Sequence, residues 1–375
     1  MKKKGIKVIL ICTCLILFVS STTYATDSTI EDEELNSLVN ILDEYVDDTY
    51  NLENIKQDLL SGEGLDYGII GNAFINTFAN EIYSASKISI SIFCVILLMA
   101  ILKSMELEKD SSVGKIAHVV SFLTIVSLVL VNYKDLLELF KNSIEIETKI
   151  VQVLSPFVMA LLMATGSITS TGLIQPIILF LCSSIGLIIN YIIVPLLTVS
   201  LVFNIISSIS DTVKLNRFAK LLTKISLYIL AVVLAIVLGV LGLESSIGTS
   251  LDSVTVKTTQ AAVSGAVPVV GKFLSDSLEV IMGSAEVVGK VSGVIGILVL
   301  LLISFTPIIK LFVIYIIFQL LTAISETINT DEKVVKLFES VSNIYVTMLG
   351  ILFSVSATFI ISVGVIMSLM GKVFS

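Results

Sequence analysis

The sequence is short of charge. Only 14% of its 375 residues are Asp, Glu, Lys or Arg, against roughly 25% in a usual soluble domain. It has a single histidine, His118, which excludes a histidine-rich metal site and an HExxH helix. The four cysteines, Cys12, Cys14, Cys94 and Cys182, form no CxxC pair and no disulfide framework. Cys94 and Cys182 lie in apolar runs, where the expected role is that of a small hydrophobe. The chain also lacks a GxxxxGK[ST] phosphate loop, a GxSxG elbow and EF-hand spacing, and no aspartate sits well inside an apolar run. These absences argue against nucleotide-binding, hydrolase, metalloenzyme and aspartyl intramembrane protease chemistry. They leave a non-enzymatic protein with no cofactor and no metal.

What the chain has instead is apolar length. Hydrophobic residues make up 55% of it, and its mean hydropathy is +1.01. Val151–Ser210 runs for 60 residues without Asp, Glu, Lys, Arg or His. As helix, at about 1.5 Å per residue, that run would cross roughly three bilayer cores of about 30 Å. The fold class is therefore all-α, a polytopic helical membrane protein.

The net charge of −8 is concentrated in one place. Asp27–Asp66 holds thirteen acids and one base, Lys56, so the low pI marks an acidic tail and carries no information about nucleic acid. Ahead of it, residues 1–25 have the form of a secretory signal peptide. Lys2, Lys3, Lys4 and Lys7 precede the apolar stretch Val8–Val19, and Thr23 and Ala25 supply the small residues of a cleavage site. An uncleaved anchor is the alternative. Residues 26–83 then form an acidic extracytoplasmic segment. Within it Leu35, Leu38, Leu42 and Tyr45 recur at helical spacing; a solvated tail is the competing reading.

Residues 84–243 read as a membrane domain of about six spans: 88–102 (extending back to 84), 116–133, 151–168, 173–191, 192–210 and 225–243. Residues 291–375 hold two or three more, at 291–309, 311–325 and 340–371. Lys310 separates the first two of these, either as the apex of a hairpin or within one long broken helix. The total is about eight spans, in the range seven to nine. Amphipathic helices on the membrane surface are expected at 135–149, where Asp135, Glu138, Asn142, Glu145 and Lys149 share a face, and near 330–341. With the N-terminus outside, the loop after 210 is cytoplasmic. It carries Lys214, Arg217, Lys220 and Lys224 against Asp211, as the positive-inside rule requires. Their spacing puts the four bases on one helix face suited to anionic lipid headgroups, or to a cytoplasmic partner.

The polar residues within the apolar runs are uncharged: Gln152, Gln175, Asn190, Asn204 and Gln319. Interhelical hydrogen bonding is one reading and lining of an aqueous path the other. Lys310 is the one ionisable candidate at mid-membrane in this reading, and His118 is placed at a helix end. All five prolines (Pro156, Pro176, Pro195, Pro268 and Pro307) have apolar surroundings, a pattern shared by packing kinks and by the broken helices of transporters.

Residues 244–290 stand apart. Leu274, Leu278, Ile281, Ala285 and Val288 face one way and Asp276, Glu279, Glu286 and Lys290 the other. Upstream, the uncharged piece between Lys257 and Lys272 is 14 residues long. At about 21 Å of helix it is too short to span, and Pro268 interrupts it. A re-entrant or amphipathic region on the outer side is expected, with a packed linker as the alternative.

The stretch Thr255–Glu279, TVKTTQAAVSGAVPVVGKFLSDSLE, resembles the signature of the stage III sporulation protein AE family. The matching elements are a segment containing Lys257, then VPVVGK with Pro268, Gly271 and Lys272, then the pair Ser275–Asp276. Together with Gly265 and Glu279, Lys257, Pro268, Gly271, Lys272 and Asp276 make a candidate assembly or re-entrant motif. The order of signal, acidic segment and uncharged polytopic region is similar as well. The resemblance implies a component of a channel or transport complex between mother cell and forespore, needed after engulfment. It implies as partners the other proteins of the stage III sporulation A operon and a forespore membrane protein, and as location the mother-cell-derived outer forespore membrane. Membrane lipids are partners in any case, nucleic acid is not, and a homo-oligomer is compatible. A stand-alone secondary permease for a small solute is the alternative function.

Overall fold

The computed structural model describes residues 67–106, 112–164, 168–209, 215–266, 270–328 and 331–370; from 242 to 291 it describes the backbone alone. The expected signal peptide and most of the acidic segment, together with Lys214 and Pro268, lie outside the described residues. Every described element is helical: α1 (Tyr67–Glu106), α2 (Ser112–Ala164), α3 (Ile168–Ile188), a π-helical turn (Ile189–Ile193), α4 (Val194–Ile209), α5 (Asn216–Ala266), α6 (Val270–Thr327) and α7 (Glu332–Met370).

Six helical stretches among the described residues are long and apolar enough to cross a membrane: Phe78–Ile101, Val119–Leu161, Pro176–Ile209, Asn216–Leu241, Ser292–Thr327 and Glu332–Val365. This is close to the seven to nine expected, and the difference has one cause. Segments that charge or proline separates in the sequence are continuous here. The 116–133 run and residues 151–164 of the next are two parts of α2, whose 53 residues extend about 80 Å. The 291–309 and 311–325 runs are both in α6, which passes through Pro307 and Lys310 without a hairpin. Packing against neighbouring helices sustains such helices through a proline.

The 173–191 and 192–210 runs join through the π turn. The Val194 N–H donates to the Ile189 carbonyl, five residues back. Val194 alone separates that wider turn from Pro195, which has no N–H to offer an α-helical ladder.

Contacts between helices fix an up-and-down order. Gln152 on α2 meets Ser183 on α3, and Tyr133 meets Thr198 on α4, so these helices run opposite ways. Ser200 on α4 bonds the Ala219 carbonyl and Thr223 of α5. Gln319 of α6 meets Ser342 of α7, antiparallel. α2 and α7 run the same way, through Asn132–Tyr345 and Glu147–Ser356.

The core runs the length of this bundle. Leu136, Phe140, Ile144, Ile150, Val151 and Leu154 of α2 pack with Ile295, Val299 and Leu300 of α6 and Ile351, Leu352 and Val355 of α7. The two helices come close at Gly296, where a Cβ would stand 2.5 Å from Leu154 Cδ1. Glycine is what lets α2 and α6 meet there.

The stretch 135–149, expected as a separate surface helix, is the middle of α2. Val334, Leu337 and Val341, expected on a second surface helix, are fully buried in α7. In both places the apolar stripe faces other helices of the protein.

Candidate polar site in the bundle core

The buried face of α2 repeats at three- and four-residue steps through Leu136, Phe140, Ile144, then Glu147, then Val151 and Leu154. Glu147 thus takes a core position, and it is 0% exposed. Ser304 of α6 donates to its Oε1 at 2.8 Å and Ser356 of α7 at 2.7 Å. Each of these hydroxyls has one proton, and each also lies within bonding distance of a carbonyl one turn back, Leu300 or Leu352. The carboxyl group therefore competes with the helix backbone for both donors. Among the described residues its Oε2 is buried with no hydrogen-bond partner.

α2 is joined at this one side chain to the distant pair α6 and α7, at a height where α6 (291–309) and α7 (340–370) are uncharged. An ionisable group so placed in a membrane costs about 2.5–3.5 kcal/mol or more, and such groups mark functional positions.

Sequence reasoning missed Glu147. The acids and bases around it drew attention to the outer face of α2, while Glu147 lies on the other side. The available signal was an acid in register with Phe140, Ile144, Val151 and Leu154. Lys310, the sequence candidate for an intramembrane ionisable group, is partly buried in mid-α6.

A second polar node lies further along the bundle. Tyr345 of α7 donates to Asn132 of α2 at 2.8 Å. Tyr133 stacks on Tyr345, with ring centroids 6.5 Å apart, and bonds Thr198 of α4. Phe318 of α6 meets Tyr345 edge-on at 5.2 Å.

The other sequence candidates are dispersed. Gln152 donates to Ser183 Oγ and Gln319 to Ser342 Oγ, each at 2.9 Å and each between helices. Asn190 is partly buried in the π turn and Asn204 is buried on α4; among the described residues their side-chain oxygens lack partners. Gln175 lies on α3, its side chain outside the described residues. Arg217, Lys220 and Lys224 are exposed along the first turns of α5. Lys257 and Gly265 fall on α5, and Gly271, Lys272, Asp276 and Glu279 on α6, all within the part described by backbone alone.

The profile of the stage III sporulation protein AE family matches residues 50–370. The stage III sporulation protein AE of Bacillus subtilis (strain 168) is 27% identical over 295 residues, covering 79% of this chain and 73% of the relative. No solved structure matches. With the family profile spanning the described bundle from end to end, the chain belongs to the stage III sporulation protein AE family.

Proposed function

We propose that this chain is a non-enzymatic membrane component of a channel or transport complex between mother cell and forespore, acting after engulfment. Its partners in this reading are the other proteins of the stage III sporulation A operon and a forespore membrane protein, and its site is the outer forespore membrane. The observation that supports a transport role most directly is Glu147, an acid held by Ser304 and Ser356 inside an otherwise apolar bundle. A purely structural anchor has no need of it. The exposed bases Arg217, Lys220 and Lys224 suit a cytoplasmic loop at an anionic leaflet. In this reading the six spans among the described residues leave the two ends of the bundle on one side and the 244–290 region outside, where partner proteins would meet it.

Deleting the gene is expected to stop development after engulfment. Normal yields of heat-resistant spores from the deletion strain would remove this reading.

A stand-alone secondary permease is the second reading, and Glu147 favours it too, because ion-coupled transporters use intramembrane carboxylates. Solute uptake by the purified protein in liposomes, without partners, would support that alternative.

A further inference from the structure

The outer face of α2 is charged at the mid-height of the bundle. Lys134, Asp135, Glu138, Asn142, Glu145 and Lys149 are all exposed, at steps of one, three, four, three and four residues. Lys149 and Glu145 form an ion pair at 2.9 Å, each about half exposed. Both lie two residues from Glu147, hence within about 3 Å of it along the helix axis. Glu147 in turn reaches Ser304 and Ser356, in the uncharged runs of α6 and α7. The height of the Glu145–Lys149 pair is therefore fixed, and it is a height at which the neighbouring helices present apolar side chains outward. Leu187 on α3 is exposed there, and it adjoins Gly186, whose Cβ position meets Thr148 of α2.

A charged stripe at that depth is stable against water and unstable against lipid tails. The same stripe on a soluble protein would be an ordinary surface, but here the rest of the belt is apolar. It lies on the outside of one bundle, so a water-filled space beside it needs a further wall. Lys134, Lys141 and Lys149 balance Asp135, Glu138 and Glu145, so two such faces set side by side do not repel.

We infer that α2 lines an aqueous path closed by further copies of this chain, with residues 134–149 facing the lumen. This deepens the channel reading and rests on it. The sign-balanced wall fits passage of small hydrophilic solutes without selection for one sign of charge.

The test uses the full chain with Cys12, Cys14, Cys94 and Cys182 replaced, expressed in membranes with single cysteines at Asn142, Glu145 or Leu187. The probe is a membrane-impermeant methanethiosulfonate. Asn142→Cys and Glu145→Cys are expected to react at least tenfold faster than Leu187→Cys. Rates within twofold of one another would overturn the inference. Asn142→Cys removes no charge, so it remains informative if Glu145→Cys inserts poorly. A bifunctional thiol reagent on Asn142→Cys is expected to join two copies of this chain. Fast labelling with cross-links only to other proteins, or with none, would overturn the assignment of copies as the wall. Neither readout requires transport, so normal sporulation of a deletion strain would defeat the channel reading without altering them.

Discussion

Tyr345 on α7 donates its hydroxyl hydrogen to Asn132 Oδ1 on α2 at 2.8 Å, across 213 residues of sequence, with both side chains buried. The neighbouring rings of Tyr133 and Phe318 hold that tyrosine from two further directions. This node ties the second helix of the bundle to the last.

Tyr345→Phe leaves the ring packing intact and strands the Asn132 carbonyl oxygen. A cost of about 1 kcal/mol is expected, since buried orphan acceptors are penalised but interhelical bonds in membranes average below that. Adding Asn132→Leu should return most of the loss, because removing both partners is far less harmful than removing one. Reversible unfolding in mixed micelles reads both variants.

Gly296→Val should lower stability by about 1–3 kcal/mol, the usual range for overpacking a close contact. Its Cβ would stand 2.5 Å from Leu154 Cδ1. Leu154→Ala in the same chain should recover part of this loss. If the double variant is no better than Gly296→Val alone, the α2–α6 approach is not the source.

Glu147→Gln keeps the shape and one acceptor for Ser304 and Ser356 while removing the ionisable group. It should insert and fold as the parent does, and yet reduce heat-resistant spores at least tenfold in a complementation assay. Ser304→Ala with Ser356→Ala should retain the acid without its donors and give an intermediate phenotype. Full complementation by Glu147→Gln would show that the carboxyl group is dispensable.

Replacing Arg217, Lys220 and Lys224 together by Glu should misorient or block insertion, since cytoplasmic loops hold their side through basic residues. A reporter fused within 210–215 is expected to be cytoplasmic in the parent and to lose that location in the variant.

Pro268→Leu and Asp276→Lys should impair assembly with partner proteins more than insertion. Normal co-purification of partners with both variants would reduce the 244–290 region to a linker.

The fold class was legible because hydrophobic length alone carries it: a run such as Val151–Ser210 permits few soluble structures. Helix boundaries were less legible. Charge at 134–149 and at Lys310, and proline at 195 and 307, are the marks by which a sequence announces an interruption. Tertiary packing overrode each of them, because a helix flanked by partners tolerates what an isolated one does not. Glu147 stayed hidden for a related reason. Periodicity assigns a residue to a face, and a single acid on an apolar stripe is read as noise until Ser304 and Ser356, some 150 to 210 positions away, are brought to it.

The π turn at Ile189–Ile193 sets the phase of everything after it. The core side chains of α4 (Val194, Leu197, Ser200, Leu201, Asn204, Ile205 and Ser208) continue the buried strip of α3 (Ile178, Cys182 and Ile185) because the turn holds one residue more than an α turn does. Deleting any one residue there would leave a longer and more regular helix, and would swing that strip by about 100° away from its partners. Length changes at this point are therefore expected to be far more damaging than substitutions. A protein in which Ser200 must find Ala219 and Thr223 is calibrated by counting residues as much as by their identity.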